Sequence, residues 1–371
     1  MKPQQKNNNP SEEIKNLMEF SIELSSGHQN DTIYANGNMQ AGVRINIKAN
    51  SAGGHIIHLS DEQLNSIELI NYVTSEKLVG KWSYSSVEND YNHTFRPPYS
   101  TPDDKDFSSS YKSIKDDKLD NDPDIQKKSY WITTTEVAPI KIAAQITLDG
   151  ITYATNQGYF DSSADINGYS PIVYHARNLM IPPSEKTNSG IYDVTVITKE
   201  YDTEIERHTE HYNWEQYNYY VRPKPDVGGF KVKSVEIADT YNDTEVNDND
   251  YHGFTHRTES QNLHLCFLWG TEKIEKRKAG NQTREKKYSR PDFYDSKTYI
   301  ATPEVEILTT PNNDTISISR LYFQSPEEGF WEDFSNNKPK FKFIDEYGNQ
   351  SNQIKIEMED YQSFYLEDWK Y

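Results

Sequence analysis

The sequence predicts an all-β chain: two or three tandem β-sandwich domains behind a polar N-terminal tail. Three observations predict it. Apolar residues recur with period two, as where Val43, Ile45 and Ile47 alternate with Arg44, Asn46 and Lys48, the pattern of a strand with one buried face. Turn dipeptides punctuate the alternating runs, Asn36-Gly37 and Asp149-Gly150 being the clearest. No stretch of a dozen residues keeps a helical period between the strands, so folds with covering helices are disfavoured and sandwiches remain.

Taken in order, residues 1–22 read as a polar tail with one weakly helical patch at Ile14, Leu17 and Met18. Residues 23–100 form an N-terminal β-sandwich, opened by the strand, turn and half-buried strand of residues 31–47. Within it, Ser60 and Gln63 stand in capping-box spacing and predict a single helical turn. Strands resume at Ile67–Val73 and Lys81–Val87. Residues 101–128 are acidic and poor in apolar side chains, so they read as a linker or long loop and as the best domain boundary.

A middle β domain over 129–226 starts with a hairpin: Ile140, Ile142, Ala144, Ile146 and Leu148 alternate, Asp149-Gly150 turns, and Ile151 and Tyr153 return. Tyr192, Val194, Val196 and Thr198 alternate again before the aromatic run that ends at Tyr220. A C-terminal sandwich over 227–371 takes its strands from Val235–Ala238, Leu263–Trp269, Val305–Leu308, Ile316–Phe323, Phe341–Ile344 and Ile354–Met358.

A net charge of −19 makes the surface strongly acidic, which disfavours nucleic acid and anionic membrane surfaces as partners. No run of about 20 apolar residues is present to cross a bilayer, and membrane insertion is not expected. The first residues lack the apolar core of a signal peptide, so synthesis in the cytoplasm is expected, with release by lysis or a dedicated secretion system. Cys266 is the sole cysteine and lies in the most apolar run, where an inert buried thiol is expected.

Two stretches resemble bacterial immunoglobulin-like repeats of the invasin and intimin type. One is Tyr34-Ala-Asn-Gly37 followed by Val43, Ile45, Ile47 and Gly53-Gly54; the other is Phe343-Ile-Asp-Glu-Tyr-Gly-Asn-Gln-Ser351 with Ile354, Ile356 and Met358. The resemblance implies immunoglobulin-like sandwiches and an adhesive or spacer role, and it transfers no catalytic residues.

Four sets of residues are candidates for chemistry. Asp248, Asp250 and Glu259 stand at positions 1, 3 and 12 of a calcium-loop spacing with Gly253 at position 6. His252 at position 5 and the strand-like flanks count against it, so a solvated acidic turn is preferred and no cofactor is expected beyond that calcium candidate. The pairs His55/His58, His208/His211 and His252/His256 lack the further ligands zinc needs. Carboxylates at Glu204, Glu206, Glu210 and Glu215, or at Glu327, Glu328, Glu332 and Asp333, flank aromatic residues as in sugar-active sites, although 58 acidic residues make such clusters easy to obtain. Trp214, Tyr217, Tyr219, Tyr220 and Trp331 are expected to form an aromatic surface for a sugar or a protein.

One stretch opposes the global charge. Lys273, Lys276, Arg277, Lys278, Arg284, Lys286, Lys287 and Arg290 read as a solvated hairpin loop, or as a partner-binding segment complementary to an acidic copy of the chain. The expected function is a non-enzymatic structural or adhesive component of an assembly, with a protein partner or self-association. The alternatives are a carbohydrate-binding module or glycan-active enzyme, and a secreted toxin subunit.

Overall fold

The computed structural model describes residues 14–99, 122–238, 253–259, 262–269, 276–279, 284–289, 295–301, 303, 305–308, 314–331, 338–360 and 362–370. Its regular structure is almost entirely β, in two compact units: Met1–Pro171 with Tyr347–Asn349, and Ile172–Glu346 with Gln350–Tyr371.

Unit 1 carries β1 (Ile14–Leu24), β2 (Asn30–Tyr34), β3 (Ala41–Ser51), β4 (Ile56–Ile57), α1 (Asp61–Asn65), β5 (Glu68–Asn71), β6 (Trp82–Ser85), β7 (Gln126–Thr134), β8 (Pro139–Leu148), β9 (Ile151–Ala154) and β10 (Ala164–Tyr169). One sheet runs β1-β3-β7-β6 with β4 on β3, and the other runs β2-β10-β8-β5 with β9 on β8. Val43, Ile45 and Ile47 are fully buried in the first sheet, as Ile142, Ala144 and Ile166 are in the second. Removing each aliphatic side chain of this size from water stabilises the fold by about 1.5–3 kcal/mol. Asn36-Gly37 lies between β2 and β3, which belong to different sheets, so this turn passes the chain from one sheet to the other.

The capping box forms as expected: Gln63 N–H donates to Ser60 Oγ at 3.2 Å, and Ser60 N–H to Gln63 Oε1 at 2.8 Å. The β8–β9 hairpin turns through Asp149 and Gly150 with φ of 50° and 82°, the doubly left-handed turn that matches strand twist.

The helical patch expected at Ile14, Leu17 and Met18 is instead the start of β1, paired along β3. Its register shifts between Ile14 and Asn16 and again between Leu17 and Glu19. Each bulge inserts a residue, so the buried Leu17 and Phe20 stand three apart and Met18 turns outward, 48% exposed. That spacing imitates a helix.

Residues 101–128 do not separate domains. They connect β6 to β7, neighbours in one sheet, and β3 pairs with β7 from Ala41↔Ile132 to Ile47↔Gln126. The chain divides at Pro171/Ile172 rather than near 128 and 226, because β7 and β8 complete the two sheets of unit 1.

Unit 2 carries β11 (Val173–Tyr174), β12 (Leu179–Met180), β13 (Glu185–Glu200), β14 (Thr203–Pro223), β15 (Val232–Ala238), β16 (Gly253–Glu259), β17 (Asn262–Trp269), β18 (Lys276–Ala279), β19 (Arg284–Ser289), β20 (Asp295–Ala301), β21 (Val305–Leu308), β22 (Ile316–Gln324), β23 (Lys340–Asp345), β24 (Gln350–Ser351), β25 (Ile354–Met358) and β26 (Phe364–Asp368). Its largest sheet runs β16-β17-β22-β14-β13-β20-β19 with β12 on β14. A second runs β11-β24-β23-β25-β26 with β15 on β23, and β18 pairs with β21 in a two-stranded sheet.

The large sheet is apolar on both faces. Leu263, Leu265, Phe267, Leu321 and Phe323 pack with Val305 and Ile307 of β21 on one face. Cys266, Leu268, Ile316 and Ile318 pack with Phe341, Phe343, Ile354 and Ile356 of the second sheet on the other. Near-continuous apolar runs such as Leu263–Trp269 follow from this double burial. Gly190 is required by packing: a Cβ there would lie 2.7 Å from Trp214 Nε1 in the neighbouring strand.

Candidate functional site

Strand register assembles the most chemically varied cluster of the described residues on one face of the large sheet. Thr198 of β13 stands opposite Lys297 of β20 and Glu206 of β14, and Val196 stands opposite Tyr299 and His208. Val194 faces Glu210 and Tyr192 faces Tyr212, while Tyr288 of β19 faces Lys297. Antiparallel partners share a face, so His208, Glu210, Tyr212, Tyr288, Lys297 and Tyr299 point to one side.

The segment 325–331 closes over this face. Tyr192 OH donates to the Gln324 carbonyl and Lys286 Nζ to the Gly329 carbonyl. Tyr288 OH donates to the Glu328 carbonyl at 3.0 Å, and Tyr299 OH to Glu327 Oε2 at 3.3 Å. Phe330 and Trp331 anchor the far end at 0% and 5% exposure. Three side chains of the sheet thus hold the strap at the successive residues Glu327, Glu328 and Gly329, and Tyr192 holds the end of β22 that leads into it.

The electrostatics keep the phenols as donors. Burial, then the hydrogen bond to Glu210, holds the Tyr212 hydroxyl above its usual range. Burial, then the nearby Glu327 and Glu210, does the same for Tyr299. Burial pushes Glu210 upward, but hydrogen bonds from Tyr212 and from His208, 3.1 Å away, leave it below the usual carboxylate value. Both tyrosines therefore donate and Glu210 accepts at neutral pH. The cluster offers hydroxyl donors, carboxylate acceptors and ring faces, the chemistry of polar-ligand recognition.

Beside the cluster lies a cavity of about 250 Å³, lined by Thr198, Tyr288, Ser289, Asp295, Ser296, Lys297, Tyr299 and Glu327. The cluster joins Glu210 and Glu327, one from each carboxylate set read in the sequence, around Tyr299. Tyr288, Asp295 and Tyr299 were not legible as a site: Asp295–Ala301 reads as a strand by its Thr, Tyr and Ile content, and nothing local shows which strands it lies between.

The other candidate residues are scattered over the chain. Asp248 and Asp250 lie outside the described residues, and Glu259 ends β16, which pairs antiparallel with β17 rather than preceding a helix. Among the described residues no three His, Cys, Asp or Glu side chains are grouped to hold a metal. His55 and His58 are exposed. His208 bonds Glu210, and His211 Nδ1 lies 2.7 Å from Asp193. His252 lies outside the described residues, as do Glu332 and Asp333, while His256 falls within β16.

Trp214 and Trp331 are core residues, 8% and 5% exposed, not an aromatic surface. Alternation along β14 turns Trp214 toward the face that packs with β21 and puts Tyr217 and Tyr219 on the opposite face. There, half-buried, they enclose the Arg320 guanidinium: it stacks 4.6 Å from the Tyr217 ring, donates to Tyr219 OH at 3.3 Å, and lies 3.2 Å from His264 Nδ1. Tyr220 is half-buried, 3.5 Å from Asn218 Nδ2.

The basic stretch is not one hairpin loop. Lys276, Arg277 and Lys278 belong to β18, paired with β21, whereas Arg284, Lys286 and Lys287 belong to β19, paired with β20 in the large sheet. Lys273 and Arg290 lie outside the described residues. Lys286 also sits 5.3 Å over the Tyr288 ring, and Lys287 Nζ is 3.9 Å from Asp202, both of these last two side chains being largely exposed.

No protein-family model matches the chain, and no curated protein sequence matches it. Among solved structures, the chain is similar to the C-terminal domain of the Streptococcus pyogenes antigen I/II-family protein AspA, at 8% identity over 92% of this chain and 99% of that one, with a TM-score of 0.20. It is also similar to the C-terminal domain of the Streptococcus agalactiae antigen I/II polypeptide BspA, at 9% identity over 91% and 99%, with a TM-score of 0.19. Likeness at this level assigns neither a family nor an activity.

Proposed function

We propose that the chain is a non-enzymatic adhesive or structural protein that acts through its β surfaces, as a component of a self-assembling or multi-protein extracellular, tail-like or fibre-like assembly. The observation that carries the reading is the β19 edge. Among the described residues β19 is the last strand of the large sheet, and it bears Arg284, Lys286 and Lys287 on a chain of net charge −19. Lysines on an edge oppose pairing with an identical basic edge, while they complement the acidic surface of another copy. Such a contact joins different patches and extends head to tail.

Size-exclusion chromatography with light scattering, and negative-stain microscopy, test the reading. The wild type should assemble. Reversing Arg284 and Lys287 of that edge to Glu should prevent assembly with unchanged circular dichroism, and ~1 M salt, with a Debye length of ~3 Å, should mimic the variant. A strictly monomeric wild type, or assembly indifferent to both changes, would falsify the proposal.

A second reading, a module that binds carbohydrate, is favoured by the cavity beside Tyr288 and Tyr299.

A further inference from the structure

We infer that the cavity formed by β13, β19, β20 and Glu327 is a binding site for one neutral sugar unit. The inference rests on the reading of the chain as a binding protein and names the ligand of one of its surfaces.

Two residues that line the cavity each carry an oxygen without a partner. Thr198 Oγ1 and Asp295 Oδ1 are both shielded from solvent, and neither has a hydrogen-bond partner. They come from separate strands: Thr198 pairs with Lys297, and Asp295 pairs with Glu200 at the end of the same ladder. A shielded polar atom without a partner is unfavourable, and native structures rarely leave one unless water or a ligand supplies the bond. Both residues line one cavity, so a rotation of either side chain brings its orphan oxygen to a ligand hydroxyl.

The rest of the lining selects the class of ligand. Asp295 and Glu327 are carboxylates, which accept from adjacent hydroxyls and repel phosphate or carboxylate groups. Lys297 at the rim repels amines. Tyr288 and Tyr299 meet edge to face, with ring centroids 5.6 Å apart, so one ring can present its face while the other presents its edge. Such faces accept the C–H side of a pyranose. The metal alternative lacks ligands, since no third His, Cys, Asp or Glu among the described residues joins the two carboxylates. The volume of about 250 Å³ falls just below the ~300–1,000 Å³ of pockets for drug-sized ligands, a size for one ring and not for a chain of them.

The site is pre-formed by the strap. Glu327 is positioned by Tyr299, while Tyr288 and Lys286 fix the two residues that follow it. A sugar entering this cavity meets acceptors and rings already in place, which limits the ordering cost of binding.

Saturation-transfer NMR with glucose, galactose, mannose, N-acetylglucosamine and N-acetylgalactosamine tests the assignment, with N-acetylneuraminic acid and lysine methyl ester as charged controls. At least one neutral sugar should receive saturation from the full-length protein, and the controls should not displace it. Asp295→Asn keeps the shape of the wall and removes a charged acceptor, and should weaken binding about tenfold or more. Ser289→Trp, at an exposed rim position, should abolish binding by filling the mouth, with circular dichroism reporting that the fold is intact. Silence of every neutral sugar, displacement by the amine control, or unchanged binding in either variant overturns the assignment and leaves a water-filled cavity. The two proposals fail separately: a monomer that binds sugar loses only the assembly reading, and an assembly that binds none loses only the sugar site.

Discussion

Tyr174 and Asp345, 171 residues apart in sequence, meet at the centre of unit 2, where the phenol donates to Asp345 Oδ2 at 2.8 Å and both residues are 0% exposed. The contact joins β11 to the end of β23, within the apolar cluster of Phe343, Ile354 and Ile356. A carboxylate withdrawn from water is tolerated only with its hydrogen bonds made, so this pair fixes how the second sheet closes.

Tyr174→Phe should therefore destabilise unit 2 by about 1–3 kcal/mol, because it removes the donor and leaves the acceptor buried. The denaturant midpoint should fall at constant slope. A midpoint equal to wild type would mean that Asp345 is satisfied without Tyr174.

The chain should tolerate division in the 100–121 region. β1–β6 lie before it and β7–β10 after it, yet β3 pairs β7 and β5 pairs β8. Fragments 1–105 and 119–371, co-expressed, should co-purify as one folded species, since neither holds a complete sheet of unit 1. Two fragments that fold and elute independently would restore a linker there.

Unit 1 should lose stability on the alkaline side. Burial pushes the Tyr130 hydroxyl up to about 12, and it donates to the Ile67 carbonyl at 3.3 Å. An unfolded tyrosine ionises near 10. The folded state therefore holds its proton where the unfolded state releases it, so the contribution is complete below about pH 10 and declines as pH rises toward 12. Denaturation followed by tyrosinate absorbance should show that decline, and Tyr130→Phe should flatten it. An equal alkaline slope in the variant would assign the effect elsewhere.

Gly190→Ala should destabilise the β13–β14 ladder by about 1–3 kcal/mol, as overpacking does. The new methyl meets Trp214 Nε1 and ring atoms within 3.2 Å, so the near-ultraviolet signal of Trp214 should change with the melting temperature. A variant as stable as wild type would show that Trp214 has room to shift.

The fold was legible where burial is one-sided and the pairing regular. Ile142, Ala144, Ile146 and Leu148 recur with period two because all four face the core, while Gln145 is only half-buried and Thr147 is exposed. Legibility failed where geometry breaks the period: the bulges of β1 gave Ile14, Leu17 and Met18 a helix-like spacing. It failed again for Trp214 and Trp331, since a large aromatic ring reads alike as platform and as core filling. The cluster itself was legible only in halves. Glu210 and Glu327 stood out as acids near aromatics, but their meeting depends on β13 lying between β14 and β20, a long-range pairing that no local pattern encodes.

The placement of Tyr347–Asn349 has a consequence for how this chain is made. These three residues are part of unit 1, where Asn36 Nδ2 donates to the Tyr347 carbonyl at 2.9 Å and to Asn349 Oδ1 at 3.0 Å, and Asn38 Nδ2 to the Gly348 carbonyl at 2.8 Å. The Tyr347 ring packs on Tyr34 at 5.8 Å. A ribosome delivers Tyr347 311 residues after Asn36, at about 5–20 residues per second. The N-terminal unit must therefore wait, nearly whole, for its last three residues through the synthesis of most of its neighbour. A nascent chain stalled before residue 347 would carry an unfinished first unit.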